Sequence, residues 1–105
     1  MIFQLTMFPS GSKRKGASVS EHVAKVIDII DKSGLPYVLT PMATCIEGSW
    51  DEVIPVINKA RMRLRRLGHE RIYINITIDD RKGATKRLTG KIEAIENKLG
   101  RKVRK

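Results

Sequence analysis

Alternating apolar and polar residues mark the predicted strands of this chain. Residues 71–79 alternate without interruption, with four isoleucines on one side, and residues 2–8 alternate in part. Strand-forming residues also fill the stretch around Pro41. Since proline cannot donate to a central ladder, this stretch is predicted to form two short strands, near 37–40 and 43–47.

Apolar residues spaced three and four apart predict the helices. The first helix begins at a capping box from Ser18 to Glu21 and ends at Gly34. The second spans residues 50–67, begins at a capping box formed by Ser49 and Glu52, and carries Pro55 in its second turn. A last helix is predicted from a stripe that consists of Leu88, Ile92, Ile95 and Leu99.

The predicted element order is β-α-β-β-α-β-α, which favours a two-layer α/β (α+β) sandwich. Within that class, βαββαβ is the ferredoxin-like arrangement, here with an extra C-terminal helix. The 105 residues suit one domain, assigned to residues 1–100, and residues 101–105 form a basic tail.

One face of the predicted sheet has no element left to cover it. The helices cover the isoleucine face, and the opposite face is half polar. Such a face is exposed, binds a ligand or pairs with another subunit, and we expect a stable homo-oligomer. The expected interface residues are Gln4, Thr6, Tyr73, Asn75 and Thr77.

The net charge of +10 favours anionic partners, although a basic surface is also common in thermostable proteins. Basic residues lie on several sides of helix 50–67, as on any solvated helix. Sequence-specific RNA binding on such a sheet needs two or three exposed aromatic residues, and the sequence suggests only Tyr73. A nucleic-acid-binding module is therefore the alternative function, with weak and non-specific binding expected.

Membrane insertion, metal binding and catalysis have little support in the sequence. The apolar runs are too short to span a membrane. The single cysteine, Cys45, fits a reducing cytoplasm and a packing role, and His22 and His69 occupy positions typical of the surface. We expect no catalytic residues, no metal and no cofactor.

The loop from Gly11 to Gly16 lacks the phosphate-loop lysine, so it is either a solvated loop or a basic anion contact.

Thr44 and Glu47 form the most informative polar pair, because they bracket the predicted third strand. A carboxylate and a hydroxyl near a strand end can bind an amino-heterocycle, the carboxylate accepting from N–H groups and the hydroxyl fixing orientation. A glutamate before a glycine is also common in an ordinary surface turn, and spacing alone leaves both interpretations open.

Several segments together resemble the small thiamine-binding protein family. They are Pro9 with the loop to Ser18-Val19, Tyr37, residues 41–48 (PMATCIEG) and residues 76–81 (ITIDDR). The resemblance implies a ferredoxin-like fold and a non-enzymatic protein that binds thiamine or its hydroxymethylpyrimidine part. It also implies dimers or tetramers that assemble through the sheet face.

The resemblance also implies the residues of the binding site. Thr44 and Glu47 match the family's T-x-x-E element and would contact the pyrimidine. The flanking positions are Tyr37, Thr40 and Met42, with Ser18 at the start of the first helix. Two features depart from the family pattern, namely Ala43 in place of a frequent glycine and the basic Lys13–Lys15. Since thiamine is a cation, a phosphorylated form would be repelled less by this basic protein.

Overall fold

A computed structural model of the chain describes residues 1–10, 19–83 and 87–104. Its elements follow the predicted order and confirm the α+β class. They are β1 (Ile2–Ser10), α1 (Val19–Lys32), β2 (Tyr37–Leu39), β3 (Thr44–Glu47), α2 (Trp50–Arg66), β4 (Arg71–Asp79) and α3 (Arg87–Leu99).

The four strands form one antiparallel sheet in the order β2-β3-β1-β4, which is the order of the ferredoxin-like fold. β1 pairs with β4 along its whole length, from Ile2 opposite Asp79 to Ser10 opposite Arg71. β3 covers only the first part of β1, ending with Thr44 opposite Leu5. β1 was expected to stop before Pro9. The observed strand continues to Ser10 because only β4 pairs with Pro9 and Ser10. Proline is tolerated where a strand has no partner on one side.

The core lies between one face of the sheet and the helices α1 and α2. Alternation along β1 buries Phe3, Leu5 and Met7 on this face. The register places Ile46 of β3 and the four isoleucines of β4 on the same side. The helices supply the rest of the buried core, which consists of Val26, Ile30, Val53, Ile57, Ala60 and Leu64.

Local signals predicted the helix ends of α1 and α2. The predicted capping box of α2 is present, because the Ser49 hydroxyl accepts a hydrogen bond from the Glu52 N–H at 3.2 Å and the Glu52 carboxylate accepts one from the Ser49 N–H at 3.0 Å. Gly34 and Gly68, which follow α1 and α2, both have positive φ. α3 packs near β3.

Two histidines are buried in the structure. His22 and His69 are each only 5% exposed, so the expectation of surface histidines was wrong. Their rings meet edge-on with centroids 4.5 Å apart, which a pattern read along one element could not reveal. The first capping residue, Ser18, and the basic loop Lys13–Lys15 lie outside the described residues.

Candidate functional site: a pocket beside β1

A small pocket opens where β3 ends. Because β3 reaches β1 only as far as Leu5, residues 6–8 of β1 have no strand on that side. The space of about 160 Å3 is enclosed by residues 5–8 of β1, residues 39–44 and one side of α1. The α1 wall consists of Val23, Val26 and Ile27. Every residue that lines the pocket is uncharged.

Thr44 stands at the end of this pocket as the first residue of β3. It pairs with Leu5 and therefore shares the core-facing side of the sheet, where it is 6% exposed. The sequence prediction placed Thr44 at a ligand site, and the structure places it in the wall of the pocket. A hydroxyl in such a wall can both donate and accept a hydrogen bond.

Thr40 and Met42 also line the pocket, but they differ in what they can offer a ligand. The Thr40 hydroxyl donates to the Ala43 carbonyl at 2.8 Å and accepts from the N–H groups of Ala43 and Met42 at 3.0 and 3.3 Å. These bonds use the hydroxyl's capacity, so Thr40 holds the turn in shape. Met42, at the tip of the turn, is 84% exposed and has a flexible side chain.

Tyr37 and Glu47 lie away from the pocket. The Tyr37 hydroxyl donates to the Asp31 carboxylate at 2.9 Å, and this bond raises the pKa of the tyrosine above its ordinary value. Glu47 pairs with Ile2 on the sheet face that turns away from α1 and α2, and its backbone N–H donates to the Pro36 carbonyl. Among the described site residues, the structure thus brings together Thr40, Met42 and Thr44.

The sheet face opposite the core, here called the open face, holds the residues expected at an interface. Register and alternation place there Gln4, Thr6, Tyr73, Asn75 and Thr77. Phe8 lies on the open face too and stacks on Tyr73 with ring centroids 5.5 Å apart. The guanidinium of Arg71 sits 4.8 Å from the centre of the Tyr73 ring. The sequence interpretation missed Phe8, although its parity with Gln4 and Thr6 pointed to this face.

Basic side chains also border a groove between α1 and α2. On α2, Lys59, Arg63 and Arg66 follow helical spacing along one side, and Lys25 and Lys32 face them from α1. Lys32 pairs with Asp28 at 2.9 Å. For the other four cations, the described part of the chain provides no salt bridge to an acid.

Neither a metal-binding cluster nor a membrane-spanning helix occurs within the described ranges. Within residues 1–10, 19–83 and 87–104, no three His, Cys, Asp or Glu side chains come together as a metal-binding group. None of the helices described here is both long and apolar enough to cross a bilayer.

Comparison with known proteins matches this chain to one family over most of its length. The family model described as "Thiamine-binding protein" matches residues 3–96. The UPF0045 protein YqgV of Bacillus subtilis is 34% identical over 102 residues, covering 93% of this chain and 96% of the relative. The UPF0045 protein of Methanothermobacter thermautotrophicus is 29% identical over 97 residues, covering 91% and 96% respectively.

A solved structure shows the same architecture. The crystal structure of the hypothetical protein MJ1052 from Methanocaldococcus jannaschii superposes with a TM-score of 0.76 at 30% identity, covering 90% of this chain and 93% of that one. The family match and this shared fold agree with the resemblance found in the sequence. The chain belongs to the thiamine-binding protein family.

Proposed function

We propose that this protein binds the pyrimidine part of thiamine, or free hydroxymethylpyrimidine, in the pocket beside β1 and catalyses no reaction. The observation that carries the proposal is the uncharged pocket with the Thr44 hydroxyl in its wall, in a chain that belongs to the thiamine-binding family. Met42 covers the ligand from the turn, and Thr40 holds that turn in place.

The size of the pocket favours a single ring. Sites for drug-sized ligands usually enclose about 300–1,000 Å3, whereas this pocket holds about 160 Å3. The pyrimidine therefore enters, and the thiazolium of intact thiamine stays at the mouth. Charge supports the same orientation, because a cationic ring would gain nothing from an uncharged wall in a protein of net charge +10.

The unpaired side of β1 gives a reason for choosing this heterocycle. Residues 6–8 border the pocket and have no β3 partner, so their backbone groups on that side are not used by the sheet ladder. An aminopyrimidine offers an N–H donor beside a ring-nitrogen acceptor. That pair matches the alternating carbonyl and N–H groups of a strand. The Thr44 hydroxyl then fixes which way the ring lies.

Assembly through the open face is the second part of the proposal. The Phe8–Tyr73 stack and the polar residues around it lie on the side without helices α1 and α2. Packing two such faces would bury these rings and leave the pocket beside α1 accessible. A small-molecule ligand and a homo-oligomer are thus the proposed partners, and the reducing cytoplasm is the proposed compartment.

Calorimetric titration with hydroxymethylpyrimidine, thiamine and the thiamine phosphates tests the ligand. We expect the free pyrimidine to bind at least as tightly as thiamine, because only that ring enters the pocket. Thr44→Val is the matched variant, since it removes one hydroxyl at nearly constant shape. The absence of heat and of a thermal shift with all these compounds would refute the proposal.

Nucleic-acid binding is the second candidate, and the α1–α2 groove favours it, because four of its cations have no salt bridge within the described ranges. Binding through phosphates alone weakens steeply with salt, with a log–log slope of about −0.9 per phosphate contacted. We expect weak, sequence-independent binding that disappears near physiological salt. Arg63→Ala and Lys59→Ala together should reduce the slope. Tight, sequence-selective binding that persists in salt would make this the principal function.

A further inference from the structure

The α1–α2 groove lies on the helical layer and is separate from the pocket beside β1. The pocket uses the side of α1 that carries Val23, Val26 and Ile27, whereas other residues of α1 border the groove together with α2. The border extends from position 21 to 33 on α1 and from position 56 to 66 on α2. At about 1.5 Å per residue, these spans are roughly 18 and 15 Å long, so the groove matches about three turns of a helix.

Two apolar side chains form part of the groove floor. Ile29 of α1 and Val56 of α2 border it together with Lys32 and Lys59. Both apolar residues are half-buried and pack against the core, so each leaves part of its side chain exposed in the groove. An apolar strip beside charged rims suits a partner that presents apolar groups of its own, because a uniformly charged chain gains nothing from such contact.

Charge in the groove is mixed, with an excess of cations. Among the described residues, five basic and two acidic side chains border it, which gives a net charge of +3. The acids, Glu21 and Asp28, both lie on α1, and Asp28 pairs with Lys32 at 2.9 Å. A phosphate backbone would pass over both carboxylates, and like charges repel. A protein segment can instead place a carboxylate only where a cation faces it.

We propose that the α1–α2 groove binds an acidic amphipathic helix of a partner protein. The apolar stripe of that helix covers Ile29 and Val56, and carboxylates on its flanks pair with Lys25, Lys59 and Arg63. Two packed helices accept a third in this way, because side-chain ridges of one helix fit into grooves of the next at interaxial distances of ~8–10 Å. The grooves of two copies of this chain cannot cover each other, since both carry the same excess of positive charge.

Nucleic acid is the competing occupant of the groove. Single strands bind through aromatic side chains that stack on the bases, and the described border of the groove includes no aromatic residue. Nucleic acid would therefore be held by phosphate contacts, which weaken steeply with salt. Apolar contacts are not screened by salt in this way. Binding that persists at physiological salt thus distinguishes the helix from the nucleic acid.

Fluorescence anisotropy with a panel of designed peptides tests the groove. Each peptide is a helix of ~14 residues with leucines three and four apart and glutamates on both flanks. Its control has the same composition in an order that gives no apolar stripe. At physiological salt we expect the patterned peptides to bind at least ~5-fold more tightly than their controls, than inorganic polyphosphate and than a single-stranded oligonucleotide.

Three outcomes of that titration would overturn the proposal. They are the absence of binding by every patterned peptide, equal affinity for patterned and control peptides, and tighter binding of the oligonucleotide or of polyphosphate. The last result would assign the groove to phosphate chains.

Variants of this chain locate the bound peptide. Arg63→Glu should weaken peptide binding about 5-fold or more, because an attraction becomes a repulsion. Lys102→Glu, beyond α3, changes the net charge equally and should leave the affinity as it is. Val56→Thr removes apolar surface at nearly constant shape, so it should weaken peptide binding and leave polyphosphate binding unchanged.

The affinity for hydroxymethylpyrimidine should stay the same in all three variants, because none of these residues lines the pocket beside β1. The two sites are therefore tested independently. Equal losses of peptide binding in Arg63→Glu and Lys102→Glu, or an unchanged affinity in Val56→Thr, would overturn the groove as the site of a helix.

Discussion

Thr44 and Glu47 face opposite sides of the sheet, although both belong to β3 and only three positions separate them. Thr44 shares the core side with Leu5, and Glu47 lies opposite Ile2 on the open face. A strand alternates its side chains with a period of two, so positions three apart diverge. The side chains of the T-x-x-E element therefore point away from each other within a single chain.

Tyr37→Phe separates stability from binding. We expect ligand affinity to stay unchanged, because Tyr37 does not line the pocket, while the fold loses the bond to Asp31. That bond raises the pKa of Tyr37 above its ordinary value of 10.0. Its stabilising effect is therefore complete below pH ~10 and is lost as pH rises through the raised pKa.

The measurement is chemical denaturation from pH 8 to 11, with Asp31→Asn as the matched variant. Both substitutions should flatten the alkaline decrease in the free energy of unfolding. An unchanged alkaline profile would show that the bond contributes nothing in solution, and weaker ligand binding would place Tyr37 at the site.

The capping box of α2 predicts that the free energy of unfolding decreases as pH falls, whereas the Tyr37–Asp31 bond predicts a decrease as pH rises. Hydrogen bonds from the Ser49 backbone and side chain hold the pKa of Glu52 below its ordinary value of 4.5. The stabilisation is present above that value and is lost as pH falls through the lowered pKa. Glu52→Gln should therefore reduce the slope of stability against pH below about 4.5.

Ser49→Ala should cost about 0.5–2 kcal/mol at neutral pH, as loss of an N-cap usually does. Ser49→Asp keeps an N-cap acceptor and serves as the control, with most of the stability retained. Thermal and urea unfolding followed by circular dichroism measures both. Equal stability of Ser49→Ala and the wild type would contradict the role of this cap.

His22 offers a test in which a substitution should stabilise the protein. Its imidazole is buried, and neither ring nitrogen has a hydrogen-bond partner in the described part of the chain. A buried polar group without a partner costs about 1–3 kcal/mol. His22→Leu should recover part of this cost and raise Tm by several degrees, at roughly 4–8 °C per kcal/mol.

His22→Gln keeps buried polar atoms and should give no such gain, which separates polarity from packing. Calorimetric unfolding of the two variants beside the wild type measures the difference. A lower Tm for His22→Leu than for His22→Gln would mean that the imidazole has a bonding role in the folded protein.

Periodicity predicted the fold well because most elements carry their own signals. Residues 71–79 alternate cleanly, and the observed strand has these bounds. The capping box at Ser49 located the start of α2. Such signals are local, so a single sequence reveals them.

The site was harder to predict, because it depends on how elements meet. The pocket exists because the pairing of β3 with β1 ends at Leu5. The residue pattern of β1 or of β3 alone does not show where that pairing ends. The contact between the His22 and His69 rings likewise brings together residues that are far apart in the chain. The separation of Thr44 from Glu47, in contrast, follows from strand alternation and was available from the sequence.

The most direct test of the account is the affinity for hydroxymethylpyrimidine, measured by calorimetry for wild type, Thr44→Val and Glu47→Gln. Loss of one neutral hydrogen bond costs about 0.5–1.5 kcal/mol, which corresponds to roughly 2- to 12-fold weaker binding for Thr44→Val. Glu47→Gln should bind as wild type does, because Glu47 lies on the open face. The reverse result, normal binding by Thr44→Val and a large loss with Glu47→Gln, would contradict the pocket beside β1 and place the ligand on the open face.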